Sequence, residues 1–177
     1  MAKRVRRHVR GGRVVDVCGG HGLLAHLLLI LDRSSPAAFV VDKKVPASAI
    51  VLHKSLTAVW PELSRVTFAT DDLDDVEIRS GDLVVSSHAC GALTDRILDR
   101  AVEAGASVAV LPCCHDQAAC DTGDLDGWTD SALAIDVMRA LRVRAAGYRI
   151  RTLRIPDDVT PKNRLLIGTR SDRADRR

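Results

Sequence analysis

Val14-Val15-Asp16-Val17-Cys18-Gly19-Gly20-His21-Gly22-Leu23-Leu24-Ala25 is a short β-branched run that ends in small residues and passes straight into an apolar helical pattern. A strand, a glycine turn and a helix in that order let the backbone pass close under a ligand, and the helix start offers unpaired amides. Twenty residues after Gly22, Asp42 closes a second apolar run, Ala38-Phe39-Val40-Val41. A carboxylate at that point can accept hydrogen bonds from both hydroxyls of a ribose. The two signals together predict a nucleoside-binding corner at the carboxyl edge of a parallel sheet.

Outward from this corner, short β-rich runs alternate with longer helical patterns, as consecutive βαβ units do. His21 to Leu31 reads as a helix stopped by Asp32-Arg33-Ser34-Ser35-Pro36, and Ala47 to Val59 as a helix with Ile50, Val51, Leu52 and Leu56 inward. Further strands are predicted at Val66–Ala69, Asp82–Ser86 and Val108–Leu111. Thr94 is placed to cap a helix that Gly105 ends, Asp116 to Gly127 reads as a mobile loop, and a helix follows from about Thr129 to Ala145. The last two strands, Tyr148–Ile155 and Arg164–Thr169, are joined by a connection too short for a crossover helix, which forces antiparallel pairing. The expected class is therefore α/β: a Rossmann-like, three-layer sandwich around a mostly parallel seven-stranded sheet that ends in an antiparallel hairpin.

With 177 residues, the chain is sized for one domain, predicted at 14–169. Its formal charge of +3 is unevenly placed: residues 1–13 carry +6, residues 170–177 carry +2, and the body between carries −5. The two basic ends are read as a solvated arm and a disordered tail, although basic ends on an acidic body also suit contact with nucleic acid. No run of 18 apolar residues occurs and no apolar segment follows the basic start, so neither a membrane span nor a signal peptide is expected. Five cysteines, an odd number, point to reduced thiols in the cytoplasm. Oligomeric state is left open.

Two cofactors suit the turn, because Gly20-His21-Gly22-Leu23-Leu24-Ala25 also satisfies the G-x-G-x-x-A pattern of NAD-binding oxidoreductases. Asp16, just ahead of the glycines, would face a cationic amino-acid moiety well but would repel a pyrophosphate, which favours S-adenosylmethionine. The terminal hairpin points the same way, since doubly wound dehydrogenase domains keep their strands parallel. Asp16, Cys18, Gly19, Gly20, Gly22 and Asp42 are the expected cofactor contacts, with Asp71 or Asp72 accepting from the adenine amino group and His88 nearby.

A second constellation lies after the fourth and fifth strands, in His88-Ala89-Cys90-Gly91 and Pro112-Cys113-Cys114-His115. Both segments emerge at the sheet edge where the cofactor sits, so His88, Cys113, Cys114 and His115 are candidate catalytic groups. Cys90, Lys162 and Asn163 are candidate substrate contacts. The thiols admit three accounts: packing under the cofactor, a nucleophilic thiolate beside a histidine, or a metal site. The cluster lacks paired C-x-x-C spacing, and adjacent Cys113 and Cys114 are expected to point apart, so no metal is expected. Arg139, Arg142, Arg144, Arg149, Arg151 and Arg154 form a basic stripe that is read mainly as solvated and secondarily as a phosphate rail. Five aromatic residues are too few for base-stacking platforms.

These motifs, with Thr94-Asp95 and Thr160-Pro161-Lys162-Asn163, resemble the Methyltransf_32-type methyltransferase domains. That group includes a tRNA 2′-O-methyltransferase and the glutathione S-transferase C-terminal domain-containing protein. The resemblance spans about Val14 to Thr169 and implies a class I fold, S-adenosylmethionine as cofactor and functional loops at those places. Cys18 departs from it by standing where many class I enzymes have the first glycine of the turn. Only a basic arm precedes the first strand, which argues against tRNA; RNA of some kind is the expected substrate class, with small molecules or protein side chains close behind. A cofactor-binding module without transfer activity is the third function considered, after the methyltransferase and the NAD-binding oxidoreductase.

Overall fold

A computed structural model describes residues 1–170 of the chain. Seven strands form one sheet: β1 (Val14–Val17), β2 (Ala38–Asp42), β3 (Val66–Thr70), β4 (Leu83–Ser86), β5 (Ser107–Val110), β6 (Tyr148–Arg154) and β7 (Arg164–Arg170). Their spatial order is β3-β2-β1-β4-β5-β7-β6. The first five run parallel, and β7 inserts antiparallel between β5 and β6. The chain reverses direction between β1 and β4, so a crevice opens there at the carboxyl ends of the strands, where open α/β sheets bind ligands.

Successive residues of a strand face opposite sides of a sheet, and the core divides accordingly. Val14, Val40, Leu83 and Ile167 face α1 (Ala2–Arg6) and α2 (Leu23–Leu31). On the other side, Val15, Val41, Val84 and Leu166 pack with Ile97, Leu98 and Ala101 of α4 (Ala92–Ala104) and Val143 of α5 (Ser131–Ala145). This is the expected three-layer sandwich with its antiparallel edge. Apart from α1 and the start of α4, the boundaries of the strands and long helices agree with the sequence reading to within two residues.

Three expectations are corrected. The N-terminal segment is no solvated arm: residues 2–6 form α1, and Arg6 is buried. Its guanidinium donates to the Leu28 carbonyl at 3.1 Å and the Ser35 hydroxyl at 2.7 Å, and lies 3.3 Å from Asp32. Second, in α3 (Ala47–Val59) only Ala49 is buried, while Ile50 and Val51 are 55% and 65% exposed. Three consecutive residues, 50 to 52, span 200° of a helix and cannot all face inward. Third, Thr94 is not a cap. Gly91, at φ 54° and ψ −135°, starts α4 earlier, and the buried Thr94 hydroxyl donates to the Ala89 carbonyl at 3.0 Å. The Asp- and Gly-rich segment after β5 is a loop, as expected, made of hydrogen-bonded turns that bury Cys120. Of the expected basic tail, Arg170 ends β7 and 171–177 lie outside the described residues.

Candidate functional site

The β1–α2 turn is built by steric necessity. A Cβ on Gly19 would stand 2.7 Å from Val40 Cγ1 and 2.9 Å from Asp16 Cγ, and one on Gly22, at φ 71°, would stand 2.8 Å from Phe68. Only glycine fits under such a close approach. Gly20 donates its amide to Asp42 Oδ2 at 3.0 Å, and the Lys44 amide reaches Asp42 Oδ1 at 3.3 Å, so the carboxylate ties the ends of β1 and β2 together. Cys18 adopts φ 56°, the left-handed conformation that the more usual glycine takes without cost. Burial, with Asp42 and Asp16 close by, pushes its thiol up to about 11.

Asp16 lies beneath this turn, 1% exposed, and accepts the Ala25 amide at 3.2 Å. Burial outweighs that bond, and with Asp42 nearby the carboxyl is pushed up to about 7. A cation brought to the corner would favour the ionised form. On the far side, the Asp71 amide donates to the Asp42 carbonyl at 3.2 Å, so the segment after β3 abuts the corner. Asp72 is held below the usual carboxylate range by Lys43, 3.1 Å away, with Arg96 at 3.5 Å. Asp71 accepts the Asp72 amide at 3.0 Å.

The loops after β4 and β5 are joined as anticipated. Cys90 and Cys114 form an isolated parallel bridge, and the Gly91 amide donates to the Cys114 carbonyl at 3.1 Å. The Cys90, Cys113 and Cys114 sulfurs all lie within 4.8 Å of one another, with Cys90 and Cys113 3.1 Å apart. The expectation that Cys113 and Cys114 diverge is thereby overturned: the bridge turns the backbone so that both sulfurs meet Cys90. The neighbouring Cys113 thiol, burial and Cys114 push the Cys90 thiol up to about 12, the opposite of what an activated nucleophile needs. His88 is exposed beside this cluster.

His115 follows on the same loop and is held by α5. Its Nε2 donates to Asp136 of α5 at 2.8 Å, and its Nδ1 is buried without a hydrogen-bond partner. Ser86 Oγ, at the carboxyl end of β4, is the other buried side-chain polar atom without one among the described residues. Asp136 also accepts from Arg164 at 2.6 Å and faces Arg139 at 3.3 Å. Burial would raise its carboxyl, but His115 and Arg164 outweigh this and hold it below the usual range.

Arg139 corrects the expected basic stripe. It is 2% exposed and donates to both oxygens of Asp95 and to the Gly91 carbonyl at 2.9 Å. Arg142 pairs with Asp95 at 2.9 Å and Asp99 at 3.3 Å, so two of the six arginines are committed to carboxylates of α4 and not to phosphates. Asp136 and Arg164 escaped the sequence reading, which placed Arg139 in a solvated stripe; the signal available was Asp136 and Arg139 at i, i+3 on one helix. Lys162 is exposed, its amide donating to Thr160 Oγ1. Asn163 is buried, its side-chain amide donating to Asp157 and its carbonyl accepting from Ile155 across the hairpin. The structure thus gathers the β1–α2 corner and the loops after β3, β4 and β5 on one sheet edge, and because β7 runs antiparallel to β5 the β6–β7 connection with Lys162 and Asn163 emerges at that edge too, beyond β5.

A family profile described as a methyltransferase domain, Methyltransf_32, matches residues 1–121. The glutathione S-transferase C-terminal domain-containing protein homolog of Drosophila pseudoobscura pseudoobscura is 28% identical over 199 residues, covering 89% of this chain and 33% of that protein. The Xenopus laevis protein of that description is 29% identical over 105 residues, covering 59% and 16%. The chain therefore spans about a third of the first of these relatives. Among solved structures, an O-methyltransferase family protein from Burkholderia thailandensis superposes with a TM-score of 0.60 at 19% identity, over 96% of this chain and 53% of that one. A ribosomal protein L11 methylase from Lactobacillus delbrueckii subsp. bulgaricus gives 0.60 at 15%, over 97% and 77%. At these identities the solved structures speak for the fold.

Proposed function

Since the chain belongs to the Methyltransf_32 methyltransferase-domain family, we propose that it binds S-adenosylmethionine in the β1–α2 corner and methylates an acceptor at the loops after β4 and β5. The observation that carries this reading is the corner itself: a turn packed so closely on Val40, Asp16 and Phe68 that Gly19 and Gly22 admit no Cβ, closed by Asp42 and underlain by a carboxyl poised near neutrality. The unpartnered Ser86 hydroxyl at the same edge is a further group that a bound molecule would satisfy. Asp16 and Asp42, with Asp71 or Asp72, would hold the cationic and nucleoside parts of the cofactor, which when bound supplies an electrophilic methyl group.

The chain's own contribution is to position the acceptor and take its proton. With Nε2–H given to Asp136, a neutral His115 keeps a lone pair on buried Nδ1, and that atom is the proton's destination. Asp136 then stabilises the imidazolium.

RNA is the favoured acceptor class. Support comes from exposed Lys3, Arg7 and Arg10 at the N-terminal end, now that Arg139 and Arg142 of α5 are accounted for by ion pairs. No helix among the described residues is long and apolar enough to cross a membrane, and the five cysteines are all free, which suits the reducing cytoplasm. An NAD-binding role is disfavoured by the antiparallel β7 and by Asp16 under the turn. The test has two stages. Equilibrium titration with S-adenosylmethionine and with NAD should give saturable binding of the first alone. Labelled S-adenosylmethionine incubated with RNA, protein and metabolite fractions of cells lacking the protein should then label RNA, in a salt-sensitive manner. Binding without transfer to any fraction would leave a silent binding module.

A further inference from the structure

Cys90, Cys113 and Cys114 come from two loops, 23 residues apart in sequence, and their sulfurs lie within 4.8 Å of one another. The arrangement is held by backbone. Cys90 and Cys114 sit on one parallel bridge, the Gly91 amide bonds the Cys114 carbonyl, and the Gly91 carbonyl is in turn clamped by buried Arg139. Around a tetrahedral ion with zinc–sulfur bonds of about 2.3 Å, sulfurs stand about 3.8 Å apart. The cluster already brackets that spacing, with one pair at 3.1 Å and all pairs under 4.8 Å. Small side-chain rotations suffice to open the close pair.

We propose that these three thiols form a binding site for a thiophilic divalent cation of the zinc class, with the fourth coordination position open. The choice of cation follows from the ligands: sulfur donors without carboxylates select zinc over calcium or magnesium. The open position follows from exposure. Cys90 and Cys114 are both solvent-exposed, and His115 is committed to Asp136, so water or an acceptor group takes the fourth place. A bound cation takes such ligands as thiolates and releases their protons. Two sulfurs would serve a disulfide; a third converging on both is what a metal requires. The site is independent of the methyl-transfer reading.

The test uses the reduced, full-length protein with metal alone. Zinc competition against a chromogenic chelator should give one equivalent bound. Cobalt should give thiolate charge-transfer absorption and the intense visible bands of a tetrahedral ion. Cys90→Ser, Cys113→Ser and Cys114→Ser should each weaken binding by more than the ~10–100-fold that loss of an outer-shell partner costs. Cys120→Ser, whose sulfur lies with Asp95 and Arg139, should bind as the parent does, and circular dichroism should show all four variants folded. Absence of stoichiometric binding, a cobalt spectrum without thiolate bands, or unchanged affinity in any of the three cluster variants would overturn the proposal.

Discussion

The His115 ring donates Nε2–H to Asp136 Oδ1 at 2.8 Å while its other nitrogen is buried without a partner. A neutral imidazole so held has one fixed proton and one available lone pair, the form a general base needs. His115→Ala should therefore lower turnover by ~100-fold or more and change S-adenosylmethionine affinity by less than about twofold, within the scatter of contact-level effects. The measurements are a transfer assay and a calorimetric titration on the same preparation. Equal losses in both would reassign the pair to holding the loop.

Asp136 is shared by His115, Arg139 and Arg164, and Arg139 continues the chain of contacts to Asp95 and Gly91. Removing one partner of a buried ion pair leaves an uncompensated charge, at a cost of about 3–5 kcal/mol. Arg139→Met, which keeps the volume, should lower the melting temperature by roughly 6–20 °C for a chain of this size. The pH dependence has a definite sign. Asp95 and Asp136 are held below their ordinary values, where Arg139 on the one hand, His115 and Arg164 on the other, outweigh burial. Their stabilisation is present above about pH 4 and is lost as pH falls through the depressed values. Arg139→Met should flatten this acid limb in melting curves taken between pH 3 and 6; an unchanged limb would show that Asp95 does not depend on Arg139.

Much of this architecture was legible because it follows from periodicity. Val14–Val17 and Ala38–Asp42 are short apolar runs, as parallel strands covered on both faces must be, and the short link between β6 and β7 allowed only antiparallel pairing. The glycine corner was legible because close backbone approach demands particular residues at particular steps. What could not be read was decided by partners remote in sequence. Arg6 looks like any arm arginine until Leu28, Asp32 and Ser35 surround it. Arg139 looks solvated until α4 supplies Asp95. The thiols were misjudged for the same reason: adjacent side chains diverge along an ideal strand, but a bridge between loops, Cys90 to Cys114, sets the directions here.

Cys18 and Gly19 make opposite demands and should respond oppositely to exchange. Cys18 holds φ 56°, a conformation that costs a side chain about 1–2 kcal/mol, and glycine there gives back about 0.4–1 kcal/mol through unfolded-state entropy. Cys18→Gly should thus raise stability by roughly 0.5–1 kcal/mol. Gly19→Ala forces a methyl group against Val40, Asp16 Cγ and the Asp16 carbonyl. Overpacking of this kind costs about 1–3 kcal/mol, and the shifted turn should lose S-adenosylmethionine binding. Denaturant titrations and cofactor binding on the two variants provide the check, and a destabilised Cys18→Gly would mean that the thiol's packing outweighs its backbone strain.

Asp16 offers the sharpest test of what the corner binds. Its carboxyl is pushed up to about 7 by burial, so the empty protein favours the neutral form up to neutrality. Its contribution to stability is fully present below the ordinary carboxylate value and is lost as pH rises through about 7. A cationic ligand reverses the preference, because its ammonium or sulfonium attracts the ionised form. Binding must then expel the Asp16 proton, and affinity for S-adenosylmethionine should fall about tenfold for each pH unit below 7. Above about pH 8 it should fall again as the cofactor's own amino group loses its charge. Calorimetry at pH 6 in two buffers of different ionisation enthalpy should report net release of protons on cofactor binding, up to about one per cofactor. Asp16→Asn should abolish that release and flatten the acid side of the profile. A pH-independent affinity between 5 and 7 in the parent protein would place the cation away from Asp16 and leave this carboxyl to its bond with the Ala25 amide.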